Sequence, residues 1–298
     1  VPTIAGTVRY ARQATHSENR MTAGQIGRGP AVQGARLATV SFSLFARGRG
    51  AAYSASVLPE FDRAMQGCML SQTLVVTPGS ESVTYKPSAT AKTYTIYVVA
   101  DIPGGLAWSA QLVGCVGTVR SSHRAGERLQ FDFTFQGALD TEVDLTYVGG
   151  TLALTPPFPT HISAAFQIGA ANYAPCIESI NFDLGNQLVL IPCMNAAAGV
   201  QGYIVGTRVV SLRADPQLDR EASSGWYAAI DGGILKDCSF QCGTVQYNKI
   251  KYQFSATLGA TLQALNHGLI SRNGILALDT EFLATLSAGN DEFAIILD

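Results

Sequence analysis

Hydrophobic and polar residues alternate along much of this chain with the period-two rhythm of half-buried β-strands. Leu129, Phe131, Phe133 and Phe135 share one face, with Arg128, Gln130, Asp132 and Thr134 on the other. Farther on, Ile250, Tyr252, Phe254, Ala256 and Leu258 oppose Lys251, Gln253, Ser255 and Thr257. Shorter alternations cover Ala35 to Ala46, Thr93 to Val98 and Tyr203 to Arg213, and strand-like runs fill 176–193, 274–286 and 292–297. Turn signals separate them: Pro78-Gly79, Lys86-Pro87-Ser88, Pro103-Gly104-Gly105, Asp183-Leu184-Gly185-Asn186 and Asp215-Pro216. Two stretches read as helices. Ser56 can cap one through Met69, with Leu58, Phe61 and Met65 on one stripe; a weaker one runs from Leu218 to Ile230, anchored by Trp226 and Tyr227. The fold class is mainly β.

The chain also echoes itself. Gln111 to Leu139 and Leu235 to Leu262 each carry a Cys, a Gly-Thr-Val core, a polar interval and an alternating strand. The cores are Cys115 with Gly117-Thr118-Val119, and Cys242 with Gly243-Thr244-Val245. At 298 residues the chain is near the upper limit for one core, so duplication implies two tandem domains, each with a short flanking helix. The expected organisation is an arm over 1–35, a first domain over 36–155, a linker over 156–175 and a second domain over 176–298. The linker carries Pro156-Pro157-Phe158-Pro159, which stiffens it. The arm is Gly-rich and basic, with Arg9, Arg12, Arg20 and Arg28 and no lasting period, and reads as a flexible loop, the functional alternative being a contact arm that orders only against a neighbouring subunit.

Composition narrows the function. Charged residues make up only 14% and the formal charge is −2, which argues against high-affinity wrapping of nucleic acid. So little charge suits a surface covered by further copies. No apolar run approaches the roughly 18 residues of a membrane-spanning helix. Val1-Pro2-Thr3-Ile4 lacks the basic start and apolar core of a signal peptide, and trimming of an initiator Met is expected. Six cysteines are too sparse for a disulfide framework, and the four-residue spacing of Cys238 and Cys242 lies within a strand pattern, so buried reduced thiols are expected. His16, His123, His161 and His267 have no metal-ligand spacing, and neither a Gly-x-Ser-x-Gly elbow nor a Walker lysine occurs. The acidic pairs Asp291-Glu292 and Asp140/Glu142 read as solvated turn residues.

One stretch is more specific. WSAQLVGCVGTVRSSHRAGERLQFDFTFQGAL resembles the signature segment of major tail tube proteins of long-tailed (siphovirus-type) bacteriophages, through Gly114, Gly117, Val119, Ala125, Gly126, Glu127, Phe133, Phe135 and Gly137. The carboxy-terminal SRNGILALDTEFLATLSAGNDEFAIILD is similar to the same family, although Ser271-Arg272 stands where Asp-Arg is common. The resemblance spans roughly 35–140 and 176–298. It implies β-sandwich or barrel domains whose strands join into a ring-wide β-barrel, and stacked rings that form a hollow tube conducting DNA during ejection. Two fused tail-tube domains imply trimeric, pseudo-hexameric rings. The implied partners are other copies, tail terminator and distal tail proteins at the tube ends, and tape-measure protein and DNA passing through without specific binding. No enzyme activity, cofactor, metal or membrane is implied, and the location is the virion tail, assembled in the host bacterial cytoplasm. The polar rows Arg128, Gln130, Asp132, Thr134 and Lys251, Gln253, Ser255, Thr257 are the expected lumen lining, and Arg9, Arg12, Arg20 and Arg28 the expected inter-ring contacts. The alternatives are a two-domain adhesin or baseplate carbohydrate-binding protein, with Trp108 and Trp226 as a sugar platform, and the tube of a tailocin or secretion-type injection machine.

Overall fold

The computed structural model describes residues 3–17, 32–90, 92–102, 106–145, 156–162, 166–169, 174–219, 224–255, 261–272, 274–286 and 289–298. In chain order the first half contains β1 (Arg9–Ser17), β2 (Val32–Phe45), α1 (Asp62–Gly67), β3 (Leu70–Val75), β4 (Ser82–Pro87), β5 (Tyr94–Ile102), β6 (Leu106–Arg124), β7 (Gln130–Leu145) and β8 (Gln167–Ile168). The second contains β9 (Ile177–Asp183), β10 (Asn186–Pro192), β11 (Val200–Arg208), β12 (Ser211–Pro216), α2 (Trp226–Asp231), β13 (Leu235–Lys236), β14 (Cys238–Cys242), β15 (Ile250–Phe254), β16 (Thr261–Arg272), β17 (Ile275–Thr285) and β18 (Ala294–Leu297). The protein is therefore mainly β, as the alternation requires. The helices are shorter than expected. The residues before α1 make an isolated bridge, Ser54 to Val57, and Phe61 takes the N-cap position without a side-chain cap. The apolar stripe is nonetheless placed where the pattern put it, with Phe61 and Met65 buried.

The large sheet runs β1-β2-β7-β6-β9-β12-β17-β16, with β5 on β6 and β13 on β16. The order β1-β2-β7-β6 in the first half recurs as β9-β12-β17-β16 in the second. In each half a short helix follows the second strand and packs on the hairpin's first strand, β6 or β16. The register agrees as well. Ala46 N donates to Leu129 O where the first β2–β7 pairing ends, and Leu218 N donates to Leu276 O where β12–β17 ends. From those anchors, the row Arg9–Ser41–Thr134–Thr118 corresponds to Asn181–Arg213–Glu281–Asn266. The repeat is thus real in the large sheet, but it is not the one the Gly-Thr-Val echo suggested. Gly117-Thr118-Val119 lies inside β6, whereas Gly243-Thr244-Val245 follows the end of β14. Gly117 is required there by close packing, because a Cβ would stand 2.5 Å from the Phe135 ring.

The second sheet, β3-β4-β18-β15-β14-β8, does not repeat: β4 and β15 flank the carboxy-terminal strand β18 as mirror neighbours. The two sheets face each other across one continuous core. Leu129, Phe131, Phe133 and Phe135 reach into it from the large sheet, and Ile250, Tyr252, Phe254 and Leu297 from the smaller. Burial of such side chains stabilises by roughly 1.5–3 kcal/mol each, so this layer dominates the folding energy. Neither sheet closes into a barrel. The expectation of separate cores for 36–155 and 176–298 is corrected, because strands of both halves pair in both sheets and bury one cluster. The expected linker is correspondingly anchored: Pro156 O accepts from Arg47, Pro157 O accepts from Asn248, and β8 joins the smaller sheet. The amino-terminal arm is corrected too. Its residues 9–17 form β1, held by backbone pairing along β2, with Tyr10 packed against the core.

A third element, the β10–β11 hairpin, is inserted between β9 and β12. It packs its Val200 and Tyr203 over Leu37, Val116 and Ala138. Asn186 at its base donates to Cys68 O and Gly117 O, both at 2.9 Å. Arg208, opposite Asn186 at the same base, donates to Glu292 at 2.8 Å in a nearly buried ion pair.

The halves are locked where the chain passes Gly48 and Asn248. Gly48 N donates to Asn248 Oδ1 (2.9 Å), Asn248 Nδ2 donates to Pro157 O (2.9 Å), and Tyr53 Oη donates to Tyr247 O (3.0 Å). A Cβ on Gly48 would overlap the Tyr247 carbonyl. Asn248→Ala strands a buried amide and a carbonyl, so a loss of about 2–4 kcal/mol is expected. With Trp226→Phe as background, Trp108 in the first half reports unfolding in urea. A single transition that shifts to lower urea with Asn248→Ala is expected. Two transitions, with the Trp108 signal unmoved, would show independent cores.

Candidate functional site

Alternation sends one row of every large-sheet strand into the core and the other to the opposite face, where the β10–β11 hairpin covers Leu37, Val116 and Ala138 and the rest is open. The outer row reads Thr39, Ser41 and Ser43 on β2, Gln130, Asp132 and Thr134 on β7, and Thr118, Arg120 and Ser122 on β6. It continues through Asn181 and Asp183 on β9, Ser211 and Arg213 on β12, and Asp279 and Glu281 on β17. This is a broad, polar, nearly neutral face. Its arginines Arg9, Arg120 and Arg213 are set among the carboxylates Asp132, Asp183, Asp279 and Glu281.

Arg120 and Arg213 are held by neighbouring carboxylates. Arg120 Nε lies 2.7 Å from Asp183 across the β6–β9 pairing, and Arg213 lies 3.3 Å from Asp279 across β12–β17. Asp132 accepts hydrogen bonds from Ser43 (2.5 Å) and Gln130 (2.7 Å), which orient its carboxylate along the face. These pairs are solvent-exposed and contribute little to stability. Their effect is electrostatic: a polyanion meeting this face finds no row of unneutralised positive charge.

Only part of the expected lumen lining belongs to it. Gln130, Asp132 and Thr134 lie on this face. Arg128 lies outside β7, with its guanidinium 5.4 Å from the ring centres of both Phe45 and Phe158. Lys251 and Gln253 sit on β15 of the other sheet, Ser255 is buried just beyond that strand, and Thr257 lies outside the described residues. Since β7 and β15 both point their apolar rows into the shared core, their polar rows face opposite directions. The two rows therefore do not share a surface, which corrects the expectation of a single lining. Of the arginines expected at inter-ring contacts, Arg9 is on the polar face, and Arg12 is bonded to Glu142 (2.9 Å) along the sheet edge. Arg20 and Arg28 lie outside the described residues. The contributions of Arg120, Asp183, Arg213 and Asp279 were missed because their strands carry weak or short alternation.

Other chemistry-bearing groups are packed inside. Tyr252 Oη donates to Ser121 Oγ (2.8 Å), and Ser121 Oγ shares a hydrogen bond with His123 Nε2 (2.9 Å). His123 is 3% exposed, boxed by Phe240, Tyr252 and His161 at ring distances of 4.6–4.9 Å where Phe240 stacks on Tyr252 and His123 meets all three. This Ser–His contact thus belongs to the core. Cys115 and Cys242 are pushed up to about 12 by burial, and Cys68 and Cys238 are raised likewise, so these thiols stay protonated and inert. Trp108 meets Tyr10 edge-on at 5.2 Å, whereas the Trp226 side chain lies outside what is described. Among the described residues, no group of three or more His, Cys, Asp or Glu gathers as a metal site, and no helix is long and apolar enough to cross a membrane. No family model and no curated protein sequence matches this chain.

The buried imidazoles predict a pH dependence. Burial lowers His161 to about 4, and burial together with His161 lowers His123. In the unfolded chain both titrate near about 6.5. Between those values the unfolded state binds more protons, so stability falls as pH drops through about 6.5 towards 4 and is unaffected by these groups above it. Thermal melts from pH 7 to pH 5, a range above most carboxylate titration, should show a declining Tm. His161→Gln should flatten that decline, and an unchanged slope would assign it to other groups.

Proposed function

We propose that this protein is a structural subunit that polymerises through its large sheet into rings stacked as a hollow tube, the phage tail tube that conducts DNA during ejection. The observation that carries the reading is the eight-strand run β1-β2-β7-β6-β9-β12-β17-β16. It is built as a tandem repeat and bears on one side a polar face, whose Arg120 and Arg213 are paired with carboxylates, and on the other a core. A sheet this wide with two open edges is a liability for a lone molecule and an asset for a ring, where closure removes every edge. The resemblance of Trp108–Leu139 and of the carboxy-terminal stretch to tail tube proteins agrees with it. The repeat also suits three copies per ring, each supplying two equivalent units.

On this reading the face bearing Gln130, Asp132 and Thr134 lines the channel, and the face bearing Lys251 and Gln253 looks outward. The physical requirement is that DNA slides. Each lysine or arginine that neutralises a phosphate releases counterions and adds a salt-dependent increment of affinity, so a lining of free cations would retain the genome. Paired arginines avoid this.

Two measurements test the proposal. Mass photometry and negative-stain microscopy of the purified chain should show rings of three 31.5 kDa copies, about 95 kDa, and longer stacks. A monodisperse monomer at all concentrations would overturn it. Gln130→Lys with Thr134→Lys should leave assembly intact and make tubes retain double-stranded DNA in co-sedimentation at low salt, with release as salt rises. Gln253→Lys should leave DNA passage as it is. The reverse pattern would show that the smaller sheet lines the channel.

A further inference from the structure

The tube reading leaves open how one copy meets the next, and the following inference rests on that reading. In the first half, the outer edge of β6 has two partners. β5 covers its amino-terminal part, from Leu106 to Cys115, and β9 covers Arg120 to Arg124. In the second half, β16 occupies the equivalent place. β13 covers Leu262 and Gln263, the counterpart of the Tyr94–Cys115 pairing, but among the described residues nothing pairs along Gly268 to Arg272. At the opposite end of the sheet, among the described residues, β1 pairs only with β2. β1 is the repeat counterpart of β9.

We infer that β1 of a second copy pairs antiparallel with β16, reproducing between molecules the β6–β9 seam that exists within one. The repeat register sets the partners. Ser121↔Phe182 and His123↔Ile180 in the internal seam translate to Leu269↔Tyr10 and Ser271↔Val8, and Arg124↔Ser179 translates to Arg272↔Thr7.

Two independent features agree with this. The first is hydrogen-bond parity. Ala125 N donates to Glu178 O, so on β6 the amides of Ser121 and His123 point to β9. On β16 the tight turn to β17 pairs Arg272 with Ile275, which directs the amides of Leu269 and Ser271 outward. On β1, Ser43 N donates to Thr7 Oγ1 and Ser41 faces Arg9 through the same alternation, so the amides of Val8 and Tyr10 point away from β2. The open donors and acceptors of the two edges therefore fall opposite one another. The second feature is burial. Ser121 and Ile180 are 2% and 7% exposed at the internal seam, whereas their counterparts Leu269 and Val8 are 62% and 44% exposed. Both are apolar and stand on the core side of edges that a second copy would cover. An open groove of about 470 Å³, lined by Val8, Val40, Phe42 and Ile96, lies beneath β1 and continues the core to that edge.

The test uses the full chain with Cys176→Ser and Cys193→Ser, which removes the accessible thiols. Opposed residues in such a pair lie about 5.5 Å apart at Cα, within disulfide reach. Tyr10→Cys with Leu269→Cys should give, on mild oxidation, covalent multimers that include a closed species. Arg12→Cys with Leu269→Cys, two residues out of register, should give about tenfold less product. Ser271→Pro removes an outward amide without touching the bonds to β17. It should retain the wild-type circular dichroism and melting cooperativity but fail to form rings. Rings that form without in-register cross-linking, or that survive Ser271→Pro, would overturn the seam while the tube reading stands. A chain that never associates would overturn both.

Discussion

The pairing of β6 with β9 is the contact on which the rest of the structure depends. Five residue pairs, from Arg120↔Asp183 to Arg124↔Ser179, turn two four-strand units into one sheet. Side chains alternate strictly on a strand, so a slip by one residue would turn a whole row inside out. The observed register puts Ser121, His123, Ile180 and Phe182 into the core and Arg120, Asn181 and Asp183 on the opposite face. Phe182 then meets Tyr252 at 5.3 Å and Phe293 at 4.9 Å, which draws β15 and the residue preceding β18 onto the seam. The smaller sheet is thus centred over the junction, and its mirror arrangement of β4 and β15 about β18 follows from having to cover both halves at once.

The same register decides the electrostatics of the polar face. Arg120 reaches Asp183 because the two are directly opposed across the β6–β9 seam, and Arg213 reaches Asp279 diagonally across β12–β17, two residues from its opposed partner Glu281. Neither pair adds much to stability in water. What they do is neutralise Arg120 and Arg213 on a face rich in short polar side chains. Such a surface can border a polyanion without holding it, in keeping with a formal charge of −2 on the whole chain.

Much of this was legible in the sequence. The alternation over Leu129–Phe135 and Ile250–Phe254 named the buried rows, and Phe131, Phe133, Tyr252 and Phe254 are in the core. The reading of residues 1–35 as an aperiodic arm failed because β1 is held by main-chain bonds, which leave no trace in side-chain hydropathy. The Gly-Thr-Val echo misled for a related reason. In β6 the glycine makes room for Phe135, whereas Gly243 has φ +81° in a loop, so identical letters answer different steric demands.

What the sequence determined by itself was which residues of the strongly alternating strands turn inward, because that depends on side-chain chemistry with a fixed local period. It also determined the repeat's existence, through strand and helix order. Only the tertiary structure decided which strands pair, that the halves share one core, and that the rows led by Gln130 and Lys251 look in opposite directions. A polar row says that a face is wet, whichever side of a sandwich it is on. Choosing the side takes contacts between residues far apart in the chain, such as Phe182 with Phe293 and Gly48 with Asn248, and local pattern carries no information about them.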